Sequence, residues 1–572
     1  MTQTSLVSTR KYWMGLPADE HVVSRLAQDL NLHPLVARVM VARGWTDSVR
    51  ALEFLQADRW TLANPLTMYD MLGAVTRIHK AVAMAEKVLI YGDYDVDGTC
   101  ATAIVVKTLR KLGLDPEWFV PSRFRHGYGL HPEVVEQAQA RGVSLIITVD
   151  TGITGYQALT RARELQMDVV VTDHHQIDTL PEATVVVHPG HPQGQYPFPH
   201  LCGAGVAFQL ARALLDEFPE DLVELAGLAT LADQVPLLGE NRVLVREGLD
   251  RLRRAPGVAM ASLLKVAGMI PARVDETVLA YQVAPRINAV GRLDDANLVV
   301  ELLLTEDPVR ADVLAKRVNG YNQRRQSLQA AVEEDALAQI ALQPDWLAQP
   351  GLMVAGVGWH EGVIGIVAGK LASRFHRPTL CICVHDSLAK GSGRGIANFN
   401  LYQVLAQVQQ ESRIFTAFGG HQAAAGFSLL AANLEVLRDQ FLRAAAGQKE
   451  VDVRGQRVCD APLNLADVLP EVLPGLLRDL QRLAPFGQGN PQPVWFVKDA
   501  VVTDVHTMGK TGQHLKAWLK TGTGSTQPIV AFGYGDDLAA FSPGSRRHLL
   551  VALEENHWQG QSSLQLRLLD WK

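Results

Sequence analysis

Short apolar runs alternate with amphipathic segments over the first half of the chain. Four runs rich in Val and Ile have the length of buried strands, and they occupy residues 88–91, 144–149, 169–172 and 184–187. Segments with helical periodicity separate them, and helical patterns continue over residues 204–303. This alternation predicts an α/β fold with a doubly wound parallel sheet.

The 572-residue chain is too long for one hydrophobic core. Residues 308–340 have a strongly helical composition and would span about 50 Å at 1.5 Å per residue, which suits a strut between domains. Short alternating strands after residue 494 predict a small β-barrel. We therefore predict a helical N-terminal segment (1–64), a parallel-sheet domain (65–305), a long connecting helix (306–345), a second α/β domain (346–450) and a β-barrel domain (451–572).

Composition indicates an ordinary cytoplasmic protein. The net charge is -6, so any binding of a polyanion must come from local basic strips or from metal ions. The five cysteines include no C-x-x-C pair, which argues for reduced thiols. We expect no membrane association, because no run approaches the roughly 18 apolar residues of a membrane span and residues 1–20 lack a signal core.

Three aspartates, Asp93, Asp95 and Asp97, stand at alternate positions directly after the first predicted strand. So much negative charge at one turn calls for a cation. The spacing resembles the start of an EF-hand loop, but Ile104 stands where that loop needs a chelating Glu. The acids instead lie on a strand-to-helix turn, which is where active sites form in open α/β sheets.

The next two predicted strands end in similar chemistry. Residues 144–149 precede Asp150, residues 169–172 precede Asp173, His174 and His175, and Asp233 closes a later helical run. Any one of these residues alone is more often a helix cap, a turn former or an ordinary histidine. Three successive strand ends of this kind are hard to attribute to capping, so we expect one shared site.

The types of ligand residue limit the choice of metal ion. Several carboxylates with one or two imidazoles suit Mn²⁺ or Mg²⁺ better than Zn²⁺ or Ca²⁺, and the carboxylates are numerous enough for two ions. Two ions about 3.5 to 4 Å apart can activate water and neutralise the charge that develops at a phosphorus centre. Hydrolysis of a phosphate ester or anhydride is the predicted reaction class.

In order and setting, residues 93–98, 149–152, 173–175 and 232–233 resemble the four motifs of the DHH phosphoesterase superfamily. The resemblance implies catalytic roles for Asp93, Asp173 and His175, with His175 facing the phosphate. It implies these metal ligands, with Asp150 between two ions: Asp95, Asp97, Asp150, His174 and Asp233. DHH pyrophosphatases carry a ligand His where this chain has Tyr91, so the first site is expected to be weaker or to be completed by Asp93 or water.

Three glycine-rich stretches in the second α/β domain carry side chains suited to an anion. They contain His360 at a predicted helix start, Ser392 and Arg394 in a predicted loop, and Gly420 and His421 in another. Helix N-terminal amides and a bidentate Arg favour phosphate, although each stretch alone is more often an ordinary turn. Together they resemble the DHHA1 substrate-binding domain.

Residues 121–130, 284–292 and 485–491 resemble the RecJ family of bacterial exonucleases, and this resemblance covers nearly the whole chain from about residue 65. It implies a DHH catalytic domain, a long helix, a DHHA1 domain and an OB-like barrel that binds nucleic acid. It implies a monomer that degrades single-stranded DNA from the 5′ end to mononucleotides in DNA repair and recombination, beside a single-strand-binding protein and a helicase. The implied substrate contacts in the catalytic domain are Arg123, Arg286, Asn288 and Arg292.

The barrel sequence interleaves basic and aromatic residues, as a groove for single strands requires, although aromatic residues in alternating strands are more often core. These residues are Lys510, Lys516, Lys520, Arg546, Arg547, Trp518, Phe532, Tyr534 and Trp558. Ser392 with Arg394, joined by Arg123, is a hypothetical site for the 5′ phosphate. Two other functions stay open: a DHH phosphoesterase acting on small nucleotides or pyrophosphate, and a non-catalytic single-strand-binding module.

Overall fold

The computed structural model describes residues 12–448, 456–468, 473–509, 511–522, 524–558 and 561–572. The N-terminal segment is a strand followed by three helices: β1 Tyr12–Gly15, α1 Glu20–Asp29, α2 Pro34–Ala42 and α3 Ser48–Leu55. Apolar side chains of these helices pack into the same core as the C-terminal barrel. The predicted helical segment lacked β1, because the partner of this strand lies at the other end of the sequence.

The second segment alternates strands and helices as predicted. Its elements are α4 Met71–Ala83, β2 Val88–Tyr91, α5 Val96–Lys111, β3 Glu117–Phe119, α6 Pro132–Ala140, β4 Leu145–Val149, α7 Tyr156–Glu164, β5 Asp168–Thr172 and β6 Val185–Val187. The strands form one parallel sheet in the order β3-β2-β4-β5-β6. Val88 and Ile90 face one core and Leu89 and Tyr91 the other, so helices cover both faces. The α/β prediction is confirmed, although the short edge strand β3 was not foreseen.

Seven helices complete this domain within the described part of the chain. They are α8 Gly203–Leu215, α9 Val223–Ala232, α10 Gly239–Arg254, α11 Val258–Val266, α12 Glu276–Val278, α13 Ala284–Gly291 and α14 Asn297–Leu304. A π-helical turn, Leu279–Val283, joins α12 directly to α13. Helices α8 and α9 contribute to the same core as α5 and the sheet, which brings the start of α8 and the end of α9 near the acidic turn after β2.

A single long helix, α15 Pro308–Leu342, follows α14. The carboxylate of Asp307 caps it by accepting a hydrogen bond from Val309 N at 2.9 Å. Ala311, Leu314, Ala315 and Val318 belong to the core of the first domain. Val332, Ala336 and Ile340 belong to a core of the second domain. The helix is therefore packed at both ends, as a strut requires.

The second α/β domain contains β7 Leu352–Val357, α16 Glu361–Phe375, β8 Thr379–His385, β9 Leu388–Arg394, α17 Leu401–Ser412, β10 Phe415–His421, β11 Ala424–Leu430 and α18 Leu434–Gly447. The sheet order is β10-β11-β9-β8-β7, and only β7 and β8 run parallel. The loops predicted around residues 391–394 and 419–426 are strands. Their glycines make room for the core: a Cβ on Gly393 would lie 2.7 Å from Leu380 and 2.8 Å from Leu401.

The C-terminal domain is a closed barrel. Its elements are β12 Gln456–Cys459, β13 Ala461–Pro462, α19 Leu473–Leu483, β14 Trp495–Met508, β15 His514–Lys520, β16 Thr526–Ala531, β17 Arg546–Trp558 and β18 Gln561–Trp571. The strand order β14-β15-β16-β18-β17 closes through pairing of β14 with β17, as an OB-like barrel requires. Strand β12 pairs in parallel with β1. Among the helices of the described ranges, none is both long and apolar enough to cross a bilayer.

Candidate active site

Acidic and imidazole side chains converge at the carboxyl edge of the parallel sheet. Strands β2, β4 and β5 are neighbours there, so the residues that follow them meet. The end of α9 adds one further carboxylate. The structure therefore brings together the predicted set: Asp93, Asp95, Asp97, Asp150, Asp173, His174, His175 and Asp233.

His174 and Asp150 lie at the centre of this cluster. His174 Nε2 lies 3.1 Å from Asp150 Oδ1, 3.6 Å from Asp97 Oδ2 and 3.8 Å from Asp233 Oδ2. Three sets of side chains have ligand atoms within 4.8 Å of one another: Asp93 with Asp95 and Asp150, Asp97 with His174 and Asp233, and Asp150 with His174 and His175. Asp150 belongs to two sets, so it can face two ions.

Backbone amides hold the acidic turn in place. The carboxylate of Asp97 accepts hydrogen bonds from Gly203 N at 2.6 Å and Ala204 N at 2.7 Å, at the N-terminus of α8. Asp95 caps α5 by accepting a hydrogen bond from Gly98 N at 3.1 Å. A Cβ on Gly203 would collide with Asp150, so glycine is required for this close approach.

The cluster has the properties of a site for divalent cations. Asp93 Oδ1, Asp150 Oδ1 and His174 Nε2 are buried without a hydrogen-bond partner among the described residues. Burial, reinforced by neighbouring carboxylates, raises the pKa of Asp93 and of Asp233 to about 8, and it raises the pKa of Asp150 well above its usual value. Buried like charges are unfavourable without compensation, and divalent cations compensate them. The residues fit Mn²⁺ or Mg²⁺.

Tyr91 does not replace the missing histidine ligand. Its buried side chain donates a hydrogen bond to Gly129 O at 2.8 Å and packs beside Phe119. Asp93 groups with Asp95 and Asp150, which is the arrangement needed to complete the first ion site.

His175 is held in its charged form by Asp173. Asp173 Oδ1 lies 2.7 Å from His175 Nδ1 and also accepts a hydrogen bond from His174 N at 2.8 Å. Burial alone would raise the pKa of Asp173, but the hydrogen bond from His175 and the backbone keeps it below its usual value. Burial would likewise lower the pKa of His175, yet the bond to Asp173 raises it to about 9. In the metal-free protein, the imidazolium form of His175 is therefore favoured at neutral pH.

Two residues beside His175 were not selected from the sequence. The Tyr128 hydroxyl lies 3.3 Å from His175 Nε2, and His188 Nε2 donates a hydrogen bond to His175 O at 2.8 Å. Tyr128 belongs to the 121–130 segment that resembles the RecJ family, so that segment could have pointed to it. His188 directly follows β6. The rule that polar residues after the strands of this sheet meet at one edge could have identified it.

Four arginines from four separate segments of the chain, Arg123, Arg292, Arg325 and Arg394, form a cationic cluster next to the acids. Burial, then the charges of Arg123, Arg394 and Arg325, lower the pKa of Arg292 to about 10. Burial and Arg123 also lower the pKa of Arg394. Arg394 Nη1 donates to Ser392 Oγ at 3.3 Å, and the Arg123 guanidinium lies 4.6 Å from the centroid of the Tyr94 ring. Arg325, on α15, is the member that the sequence missed, because nothing in a helical pattern marks the residue that will face another domain.

The remaining predicted contacts of the catalytic domain are arranged around α13. Arg286 Nε donates to Asn319 Oδ1 at 3.0 Å, which ties α13 to the long helix. Asn288 Oδ1 accepts a hydrogen bond from Val96 N at 3.3 Å, so Asn288 supports the acidic turn. In the second domain, His360 caps α16 by accepting from Gly362 N at 3.0 Å, and its ring meets the ring of Phe124 edge to face.

Gly420 and His421 lie apart from these clusters. They belong to the edge strand β10, and β11 separates that strand from Arg394 on β9. A Cβ on Gly420 would collide with the backbone of Ala424 and Ala425, which is a packing reason for glycine there. His421 is exposed and lines a cavity of about 750 Å³ with Gly395 and Asn398.

Some of the basic and aromatic residues predicted to contact single strands lie on the outside of the barrel. Lys516, Trp518 and Lys520 share the outward face of β15, and Lys516 Nζ lies 5.3 Å from the centroid of the Trp518 ring. Phe532 is 52% exposed, whereas Tyr534 donates its hydroxyl hydrogen to Leu569 O at 2.7 Å. Lys510 and the side chain of Trp558 lie outside the described residues.

Comparison with known proteins agrees with this geometry. Residues 87–232 match the DHH family, N-terminal domain, residues 349–447 match the DHHA1 domain, and residues 459–570 match the RecJ OB domain. The fold and the site together define a DHH phosphoesterase. The chain is 36% identical over 569 residues to the single-stranded-DNA-specific exonuclease RecJ of Bacillus subtilis (strain 168), covering 99% of this chain and 71% of that protein. The chain belongs to the RecJ family.

Solved structures carry the same architecture. The crystal structure of RecJ in complex with Mn²⁺ from Thermus thermophilus matches with a TM-score of 0.84 and 28% identity, covering 99% of this chain and 80% of that one. The Mg²⁺ complex of RecJ from the same organism matches with a TM-score of 0.79 and 28% identity, covering 99% and 79%. The fold of this chain therefore matches these structures over almost its whole length.

Proposed function

We propose that this protein is a metal-dependent exonuclease that hydrolyses the phosphodiester bonds of single-stranded DNA in the 5′-to-3′ direction and releases mononucleotides. One observation carries the proposal: a buried cluster of carboxylates and imidazoles that fits two Mn²⁺ or Mg²⁺ ions adjoins a cluster of four arginines. The named RecJ relatives support single-stranded DNA as the substrate. The direction of degradation rests on the family resemblance.

The residues divide into metal ligands and phosphate contacts. Asp93, Asp95, Asp97, Asp150, His174 and Asp233 would hold the ions, with Asp150 facing both. Bound there, the ions supply positive charge at the phosphate and activate water for attack. The His175 imidazolium stabilises negative charge on the reacting phosphate, while Asp173 fixes its orientation and keeps it protonated.

The arginine cluster suits the terminal phosphate of the strand. Arg394 and Ser392 are already hydrogen-bonded to each other, and Arg123 lies near both Arg394 and Asp93. A 5′ phosphate held by these three residues would set the first phosphodiester bond beside the metal ligands. Arg286 and Arg325 extend the positive charge along α13 and α15.

The deciding experiment compares substrates with Mn²⁺ or Mg²⁺ present. We expect early release of labelled mononucleotide from 5′-end-labelled single strands, and little from blunt duplexes or from small nucleotides. Preferred turnover of dinucleotides or pyrophosphate would favour a small-molecule phosphoesterase instead. Tight binding of single strands without any hydrolysis would favour a non-catalytic binding module.

We further propose that the enzyme acts as a monomer in the cytoplasm. Support comes from the cysteines, which are all buried and free, as expected in a reducing compartment. A helicase and a single-strand-binding protein are the proposed partners. A helicase generates the single strands that this activity consumes, and a single-strand-binding protein covers them. Size-exclusion chromatography with light scattering, with and without DNA, tests the monomer.

A further inference from the structure

The loop of residues 485–491, which joins α19 to β14, has no role in the chemistry proposed so far. It is part of the barrel domain, yet two of its backbone groups bond to the catalytic domain. The loop is internally fixed, because Asn490 Nδ2 donates to Leu483 O at 2.8 Å and to Pro485 O at 2.9 Å. The 485–491 loop is therefore an internally ordered contact between the barrel domain and the catalytic domain.

Its first contact leads to α13. Phe486 N donates a hydrogen bond to Glu276 Oε1 at 2.9 Å, and Glu276 is the first residue of α12. From there the chain continues without interruption through the π-helical turn into α13. π-Helical turns are rare and often occur at functional sites, because they place side chains where a regular helix would not.

Helix α13 is in contact with the acidic turn and with the second domain. Asn288 accepts from Val96 N, and Gly291 lies so close to Tyr94 O that a Cβ there would clash at 2.6 Å. At its end, the carbonyl of Arg292 meets Gly362 at the start of α16 with no room for a side chain. A shift of α13 would therefore move the acidic turn or Arg292.

The second contact leads to Asp233. Leu237 N donates a hydrogen bond to Gln488 O at 2.8 Å. Gly489 has a φ of +74° and lies over Pro236, where an added Cβ would be 3.2 Å from the proline ring. Pro236 and Leu237 follow Asp233 within the same short connection to α10.

A fully buried arginine fixes the base of the loop. Arg242 on α10 donates to the carbonyls of Arg482, Leu483 and Ala484 at 2.8, 2.9 and 2.8 Å, and to Phe54 O at 2.8 Å. These carbonyls belong to the ends of α19 and α3, so one side chain joins the catalytic, barrel and N-terminal segments. A buried guanidinium bonded in this way leaves little freedom for relative motion.

We propose that the 485–491 loop positions the active site, with Glu276 as the positioning residue that connects the barrel to α13 and with Pro236 and Leu237 as the connection to Asp233. In this proposal the barrel domain affects catalysis by holding α13 and the connection after Asp233 in place, in addition to binding DNA. The proposal rests on the proposed function for its kinetic consequences, but its structural consequence is independent of any activity.

The test uses the full-length protein and the variants Glu276→Ala and Glu276→Gln. The matched control is Glu301→Ala, which removes a half-exposed glutamate of α14 that pairs with Arg310 of α15. Hydrogen exchange should become about fivefold faster at residues 279–292 in Glu276→Ala, the expected effect of one lost hydrogen bond. Glu276→Gln retains an acceptor oxygen and should restore slow exchange. The control should leave exchange at 279–292 unchanged.

Kinetics provide the second measurement, on a short and on a long 5′-phosphorylated single strand. Glu276→Ala should lower kcat about fivefold on both substrates, with KM changed less than twofold and with rescue by Glu276→Gln. Unchanged exchange at 279–292, or a defect confined to the KM of the long strand, would overturn the proposal. If the wild-type protein hydrolyses no DNA, the proposed function fails, while the hydrogen-exchange measurement still decides the positioning role.

If Glu276→Ala does not fold, Gly489→Ala applies the same tests to the second contact. Faster hydrogen exchange is then expected at residues 233–237.

Discussion

His174 Nε2 lies 3.1 Å from Asp150 Oδ1, and both atoms are buried without forming a hydrogen bond within the described residues. The two side chains come from the ends of neighbouring strands, so the sheet itself sets their separation. Two unsatisfied ligand atoms this close, beside Asp97 and Asp233, suit a shared cation better than a direct bond. The centre of the site is therefore built for an ion.

Asp150→Asn should abolish hydrolysis while the fold persists. We expect at least about a 100-fold loss of kcat, because the substitution removes a charge that can face two ions. The metal-free variant should also melt at a higher temperature than metal-free wild type, since one of several repelling carboxylates is gone. Asp250→Asn, at an exposed pair with Arg253, is the control and should change neither property. Full activity of Asp150→Asn would contradict the assignment.

Metal binding should release protons near neutral pH. The pKa values of Asp93 and Asp233 are raised to about 8, so both carboxyl groups are mostly protonated in the metal-free protein at pH 7, and an ion binds the deprotonated forms. Affinity for Mn²⁺ should therefore rise from about pH 6 to about pH 8.5. Calorimetry in buffers of different ionisation enthalpy measures the released protons. Equal heats in all buffers would refute the prediction.

The same raised pKa values predict the stability of the metal-free protein. The folded state binds these protons more tightly than the unfolded chain, whose carboxyl groups titrate near pH 4. With respect to these groups, the free energy of unfolding should therefore be largest below about pH 4, and it should fall as pH rises from about 4 to about 8. Urea titrations in a chelator measure this trend, and excess Mn²⁺ should remove it. A metal-free stability that rises over this interval would contradict the burial of the cluster.

Gly203→Ala should damage the metal site without unfolding the protein. The new methyl group would occupy the space of the Asp150 side chain, so we expect weaker Mn²⁺ binding, by about tenfold or more, measured by titration calorimetry. Gly320→Ala on the long helix is the matched control, because a Cβ there meets nothing within 4 Å. That control should stabilise the helix by about 0.5 to 1 kcal/mol and leave the metal affinity unchanged.

Arg394→Ala should weaken binding of strands that carry a 5′ phosphate. Loss of a charged hydrogen bond to phosphate predicts an increase in Kd of about 10- to 100-fold, with the metals still bound. Strands with a 5′ hydroxyl should be affected less, and Arg394→Lys should recover part of the loss. Fluorescence titration of labelled oligonucleotides measures all three. An equal loss for both kinds of 5′ end would place Arg394 elsewhere on the strand.

Much of the catalytic domain was predictable because parallel strands are buried on both faces. Val88–Tyr91 and Leu145–Val149 are short, mostly apolar runs that contain several β-branched residues, and such runs predict buried strands without reference to the rest of the chain. The strand ends then indicated the acids and imidazoles. In the second domain the same reasoning failed at Leu388–Arg394. Gly391 gives space to Phe427, and Gly393 gives space to Leu380 and Leu401, but in the sequence both look like the glycines of a turn.

The sequence by itself determined the chemistry of this protein, since ligand type and strand-end position are local properties of Asp93, Asp150 and His174. It could not decide which distant segments would complete the site. Arg325 reaches the arginine cluster only because α15 packs into two cores, and Glu276 meets Phe486 only because the barrel docks beside α12. These pairings depend on packing between domains, which no local periodicity records.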